Sequence, residues 1–202
     1  MGYNQIRIAG VDEVGKGCLY GPVFAGAVIV DKDNELKLLK EGLKDSKKLT
    51  THQRDVLVPS IKKKSIAWSI GQASAREIDK YGIRTATEKA MIRALEKFSI
   101  PPDLVIVDGV LPIRLWDGEQ ITQVRGESSF ASIAAASVLA KQSRDELIKR
   151  LAKNNAPYGL EKNKGYGTKL HRRCLINEGP SKLHRKSFLS KIITNSSQNL
   201  IN

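Results

Sequence analysis

The sequence predicts an α/β fold with a mixed sheet and a helical C-terminal end. Three observations carry this. Two β-branched segments crowd the start of the chain, the continuous apolar run LVIV interrupts a helical middle, and the last third reads as helices and glycine-rich loops. Ile6, Ile8 and Gly10 alternate with polar or small residues, and Val23 to Val30 is a β-branched run after the Gly21-Pro22 break. Two strands are therefore expected, joined through VDEVGKGCLYGP. Ser65 to Gly71 (SIAWSIG) is a third strand candidate. Ser74 and Glu77 then form an S-x-x-E capping box, and Thr87, Met91, Ala94, Leu95 and Phe98 share one helical face until Pro101-Pro102 ends it. Leu104 to Val107 suits a buried central strand that stops at Asp108-Gly109. Phe130 to Lys153 is the longest helical candidate, and its half ASIAAASVLA is small enough to lie close against a sheet. A second S-x-x-E, Ser143 to Glu146, leaves open whether this is one helix or two. Gly159, Gly165, Gly167, Gly179 and Pro180 punctuate a basic, loop-rich stretch, and the polar tail TNSSQNLIN is expected to fray.

The 202 residues suit one domain. Its expected parts are a catalytic core over about 1–150, a basic helical and loop portion over about 151–192, and the tail 193–202. With 41% hydrophobic and 27% charged residues the chain reads as globular rather than disordered. The longest uncharged apolar stretch, Cys18 to Val30, contains Gly and Pro and is shorter than the ~20 residues of a membrane span. The start has neither a signal-peptide pattern nor a myristoylation motif, so a cytoplasmic protein is expected. Cys18 and Cys174 are too few for a disulfide framework and lack metal-ligand spacing.

The net charge of +13 is concentrated at one end. Residues 141–202 hold 14 Lys+Arg against 4 Asp+Glu, whereas the first 140 hold 20 against 17. Such a field favours phosphate backbones through counterion release, with acidic proteins or anionic lipid as alternative partners.

Against this background stand four acids: Asp12, Glu13, Asp108 and Glu127. Asp12 and Asp108 fall at the ends of expected strands, where α/β sheets place their sites. Carboxylates gathered without Cys or His are hard oxygen donors suited to Mg²⁺ or Mn²⁺, and two such ions support phosphodiester hydrolysis. Each acid also has a plainer reading. Adjacent Asp-Glu is an ordinary solvated turn, residues next to each other in a strand face opposite ways, and Asp-Gly simply makes turns.

The order and spacing of GVDEVGKG, DSKKLT (Asp45 to Thr50), IVDG, SIAAASVLAK, SRD (Ser143 to Asp145), NKGYGT (Asn163 to Thr168), His171 and GPSKLHRKSF closely resemble the ribonuclease HII family along nearly the whole chain. The resemblance implies a ribonuclease H-like mixed five-stranded sheet flanked by helices. It also implies an endonuclease that hydrolyses the RNA strand of RNA–DNA hybrids and cuts at ribonucleotides embedded in duplex DNA. The expected cofactor is Mn²⁺ or Mg²⁺, held by Asp12, Glu13, Asp108 and Glu127, with products bearing a 5′-phosphate and a 3′-hydroxyl. Only His52, His171 and His184 are present, none in an obvious acid/base pair.

By the same resemblance the ribose 2′-OH is read by backbone groups of Gly15, Lys16 and Gly17, aided by Tyr166; the absent Cβ of glycine permits that approach. Ser46, Lys47, Lys48, Lys164 and Arg185 are candidate phosphate contacts. Two positions depart from the family pattern. Glu127 stands where Asp is usual, lengthening the side chain by one methylene, with Asp145 as the nearest substitute. Lys16 replaces an arginine and forfeits its planar fork. Ribonuclease HIII shares Asp-Glu-Val-Gly but adds an N-terminal substrate-binding domain, for which the residues ahead of Asp12 leave no room. The tail lacks the aromatic pair of a clamp-binding peptide, and a monomer is expected. A non-catalytic hybrid-binding protein of the same fold is the alternative; a lost acid would mark it, and all four positions are acidic here.

Overall fold

The computed structural model describes residues 6–154 and 156–190. The expected frayed tail and its final residues lie outside them.

Five strands form one mixed sheet in the order β3-β2-β1-β4-β5. They are β1 (Ile8–Val14), β2 (Val23–Ile29), β3 (Ala67–Ala73), β4 (Leu104–Asp108) and β5 (Gln120–Gln123). The first three form an antiparallel meander, and β1–β4 and β4–β5 are parallel. Helices α1 (Lys32–Lys40) and α2 (Thr51–Lys64) lie between β2 and β3. Next come α3 (Ala75–Leu95), α4 (Ala131–Ala152), α5 (Leu160–Asn163) and α6 (Lys169–Glu178).

The two faces of the sheet bury different helices. Ala9, Val11, Ala25, Ala27, Val105 and Val107 pack with Ile78, Ala90, Met91 and Leu95 of α3. Val28 packs on the other side with the alanines of α4, Leu57 and Ile61 of α2, and Leu38 of α1. The small residues of α4 allow a very close approach: a Cβ on Gly10 would fall 2.4 Å from the Ile133 nitrogen, and one on Gly26 2.3 Å from the Ala136 carbonyl oxygen. The sheet and helix are thus matched by missing side chains on both sides.

The capping box of Ser74 and Glu77 opens α3, with the Glu77 amide donating to the Ser74 hydroxyl at 3.2 Å and the Ser74 amide to Glu77 at 2.9 Å. That helix is interrupted at Gly82, whose φ of 78° is left-handed. The Ser143 to Glu146 box does not form, and α4 runs unbroken. Its buried residues Leu139, Gln142, Arg144, Asp145 and Ile148 continue across the box, and an extended Ser143 would withdraw them.

Candidate active site

β1 and β4 are paired in parallel up to Val11 with Val107. One residue further, the same register brings Asp12 beside Asp108. Alternation sends Asp12 to the α4 side, the side Gly10 faces, and Glu13 to the α3 side. The expectation that VDEVGKGCLYGP is all connection is corrected here. Asp12, Glu13 and Val14 pair with Gly26, Ala25 and Phe24 of β2, so the strand carries both acids and the turn begins at Gly15, with φ of 84°.

Asp12 is only 7% exposed. Burial, reinforced by the charges of Glu13 and Asp108, pushes its carboxyl up to about 7 against the hydrogen bonds it accepts from Ser137 and the Glu13 amide. Ser46, expected at a phosphate, is buried and shares a 2.8 Å hydrogen bond with Ser137. It buttresses Asp12 through Ser137, and its burial gives no support to the phosphate contact expected of it.

Glu127 arrives differently. Arg125 adopts a left-handed conformation (φ 55°), and a 3₁₀ turn over Gly126–Ser128 follows. The Gly126 amide donates to Asp108 Oδ1 at 2.8 Å, tying this turn to the end of β4. Burial raises the Glu127 carboxyl above its ordinary range, with Asp108 and Asp45 adding to the effect. Its Oε2 is buried without a hydrogen-bond partner. Asp145 stands apart, buried on α4 between Arg54 (3.3 Å) and Lys141 (2.9 Å).

These residues fit a hard divalent cation. The set is all carboxylate, the charges of Glu13 and Asp108 help raise the pKa of Asp12 and that of Asp108 helps raise Glu127, and an orphaned buried oxygen belongs to Glu127. Among the described residues no three His, Cys, Asp or Glu side chains already converge as a ligand group. Lys16 Nζ instead meets Glu13 Oε1 at 2.9 Å. Glu13 and Lys16 line a cleft of about 420 Å³ with Thr87, Met91, Asp108 and Gly109.

Of the expected sugar-reading groups, Lys16 lines this cleft. A Cβ on Gly17 would meet nothing within 4 Å, leaving its backbone open to a ligand. Tyr166 is 42% exposed on the loop after α5, and its hydroxyl lies at the Cys18 thiol. Lys47 and Lys48 are exposed, while the Lys164 ammonium bends back to the Glu161 carbonyl at 2.6 Å. Arg185 is wholly buried and donates to the Gly21 and Lys16 carbonyls at 2.8 and 2.9 Å. Its Nη2 is buried without a hydrogen-bond partner, and the lack of exposed surface gives no support to the phosphate contact expected of it.

Two of the three histidines meet in the interior. His171 and His184 are buried with their Nε2 atoms 3.0 Å apart. The Ser181 amide donates to His184 Nδ1, and His171 Nδ1 lies 2.9 Å from the Tyr166 carbonyl. Both rings are therefore neutral, with His184 donating to His171 and His171 to Tyr166. They are a structural relay, remote from acid/base work. Sequence reasoning missed Arg144, Ser137 and Asp45. The signal for Arg144 was its place between Ala140 and Ile148 on the buried stripe of α4.

A mixed five-stranded sheet with acids at the adjoining ends of its parallel central strands, in a strongly basic chain, defines a ribonuclease H: an endonuclease hydrolysing phosphodiester bonds. The chain belongs to the ribonuclease HII family, whose model matches residues 9–191. The ribonuclease HII of Prochlorococcus marinus (strain NATL1A) is 74% identical over 188 residues, covering 93% of this chain and 96% of that protein. The one from Synechococcus sp. (strain WH7803) is 60% identical over 183 residues, covering 91% and 94%. Among solved structures, the ribonuclease H2 from Pyrococcus horikoshii OT3 matches with a TM-score of 0.79 at 25% identity, over 96% of this chain and 100% of that one. The structure of the PCNA:RNase HII complex from Archaeoglobus fulgidus matches with a TM-score of 0.74 at 26% identity, over 90% and 94%. The family acts on RNA–DNA hybrids and depends on divalent metal. Among the described residues no helix is long and apolar enough to cross a membrane.

Proposed function

We propose that the protein cuts the RNA strand of hybrids and also cleaves at single ribonucleotides embedded in duplex DNA, leaving a 5′-phosphate and a 3′-hydroxyl. Asp12, Glu13, Asp108 and Glu127 would hold Mg²⁺ or Mn²⁺. When bound, such ions supply an activated water and charge to stabilise the leaving oxygen. The observation that carries this reading is the placement of Asp12 near Asp108, one residue past the last β1–β4 pair, with Gly126 tying Asp108 to the turn that bears the orphaned carboxylate of Glu127. Without a cation, bringing these acids to the ends of the central strands has no evident gain.

The chain's own residues do the rest. Ser137 and the Glu13 amide fix Asp12, and Gly126 fixes Asp108. The open backbone at Gly17 and the exposed ring of Tyr166 support sugar recognition there, because the 2′-OH is the sugar group that separates RNA from DNA. Lys47, Lys48 and the basic field beyond residue 141 favour the duplex backbone. Such an activity suits removal of misincorporated ribonucleotides and RNA primers in a cytoplasmic setting, by a single-domain monomer. The test is a labelled duplex bearing one ribonucleotide, compared with an all-DNA duplex in Mg²⁺, Mn²⁺ or EDTA. Metal-dependent cleavage of the first alone is expected; binding without cleavage would assign a non-catalytic module.

A further inference from the structure

Two arginines lie beneath the groups proposed to read the sugar, and both are 0% exposed. Arg144 projects from α4 and donates to three carbonyls: Pro22 at 3.0 Å, Lys164 at 2.8 Å and Tyr20 at 3.0 Å. It also packs directly under Gly15, where a Cβ would fall 2.1 Å from its Nε. Arg185 donates to Lys16 and Gly21 and holds its ring-stacking contact with Phe188 at 5.3 Å. Neither forms an ion pair among the described residues.

Two buried, mutually repelling cations without a carboxylate are an expensive arrangement, tolerable only where hydrogen bonds replace lost water. A core could be filled more cheaply by apolar side chains. What distinguishes this pair is where its donors go. Four of the five carbonyls belong to the segment from Lys16 to Pro22, and the fifth, Lys164, is two residues from Tyr166. The planar fork of Arg144 spans both loops, so neither can shift without breaking a bond shared with the other.

We propose that Arg144 and Arg185 are positioning residues for ribose recognition, clamping the glycine loop and the tyrosine loop in one register so that both meet the same sugar. The proposal rests on the reading that Gly15–Gly17 and Tyr166 test the sugar. The two claims fail separately.

The readout is a ratio: the inhibition constant of an all-DNA duplex divided by KM for the same duplex carrying one ribonucleotide. Arg144→Met and Arg185→Met are expected to lower this ratio at least fivefold by raising KM, with the DNA inhibition constant unchanged. Arg144→Lys and Arg185→Lys, which restore charge but not the fork, are expected to recover it in part. A wild-type ratio in a folded Met variant would overturn the proposal, as would an equal weakening of both constants. Should the Met variants fail to fold, the Lys variants decide: a reduced ratio supports the clamp, whereas a full wild-type ratio, or failure of all four to fold, assigns the arginines a purely structural role. Gly17→Ala and Tyr166→Ala test the underlying reading, since a methyl at Gly17 touches nothing in the protein. If both keep the wild-type ratio, the sugar is read elsewhere.

Discussion

The acidic end of the sheet and the cationic seam beneath it solve opposite problems with charge. At the sheet end, Asp12, Asp108 and Glu127 are partly desolvated, close to one another and short of donors. In the seam, Arg144, Arg185, His171 and His184 are buried more completely, yet most of their nitrogens are satisfied by carbonyls or by each other. The first region is left electrostatically incomplete and gains from a cation; the second, with Arg185 Nη2 its unpartnered nitrogen, is largely satisfied and holds shape. Function is thus expected to fail when the acids change, and geometry when the seam changes.

The largest effect should follow loss of a central acid. Asp12→Asn and Asp108→Asn are expected to lower turnover on the order of 10³-fold or more. In EDTA at pH 8, Asp12→Asn should also raise the thermal midpoint. The folded-state pKa of Asp12 is raised to about 7, so its ionisation opposes folding as pH rises from its ordinary value toward 7, and remains a full penalty above that. Removing that charge should stabilise by roughly 1–2 kcal/mol, or about 2–8 °C. A lower midpoint would show that the acids are not mutually strained.

Next, Glu127→Ala should cost about 10²-fold in turnover with little change in midpoint. Asp145→Asn should do the reverse, losing about 2–4 kcal/mol by uncompensating Arg54 while keeping turnover within a few-fold. Equal turnover in Glu127→Ala and wild type would remove Glu127 from the site.

The seam should respond to pH. Burial lowers the pKa of His171, and that of His184 falls to about 4. The unfolded chain therefore binds protons first, and stability, full above about 6.5, should fall by up to roughly 3 kcal/mol as pH drops toward 4. Urea midpoints against pH should slope less steeply in His184→Asn. An unchanged slope would place the titration elsewhere.

The smallest effect is assigned to Lys16→Ala. Its ion pair with Glu13 is half exposed, and its loss should change KM by no more than a few-fold.

Much of this molecule is legible from residues, but unevenly. β2 and β4 read clearly because both are runs of apolar, β-branched residues buried in the sheet. β5 did not, because it is a four-residue edge strand with an exposed Ile121. Thr50 and Gln53 form a capping box at the start of α2 that went unused, since Gln serves as well as Glu there. The four acids could be proposed from residue type and resemblance, yet only register shows that Asp12 sits beside Asp108 while Glu13 faces the other way. The burial of Arg185 and Ser46 was not legible for one reason: polar residues in a basic or turn-like stretch are usually exposed, and only tertiary packing reveals a carbonyl or a serine waiting for them.

The most direct test of the central claim, that these four carboxylates work through bound divalent ions, is the end chemistry of the cut on a single-ribonucleotide duplex. The account predicts 5′-phosphate and 3′-hydroxyl ends, formed with Mg²⁺ or Mn²⁺ and lost in EDTA or in Asp12→Asn. A 2′,3′-cyclic phosphate, or cleavage that persists in EDTA, would contradict it.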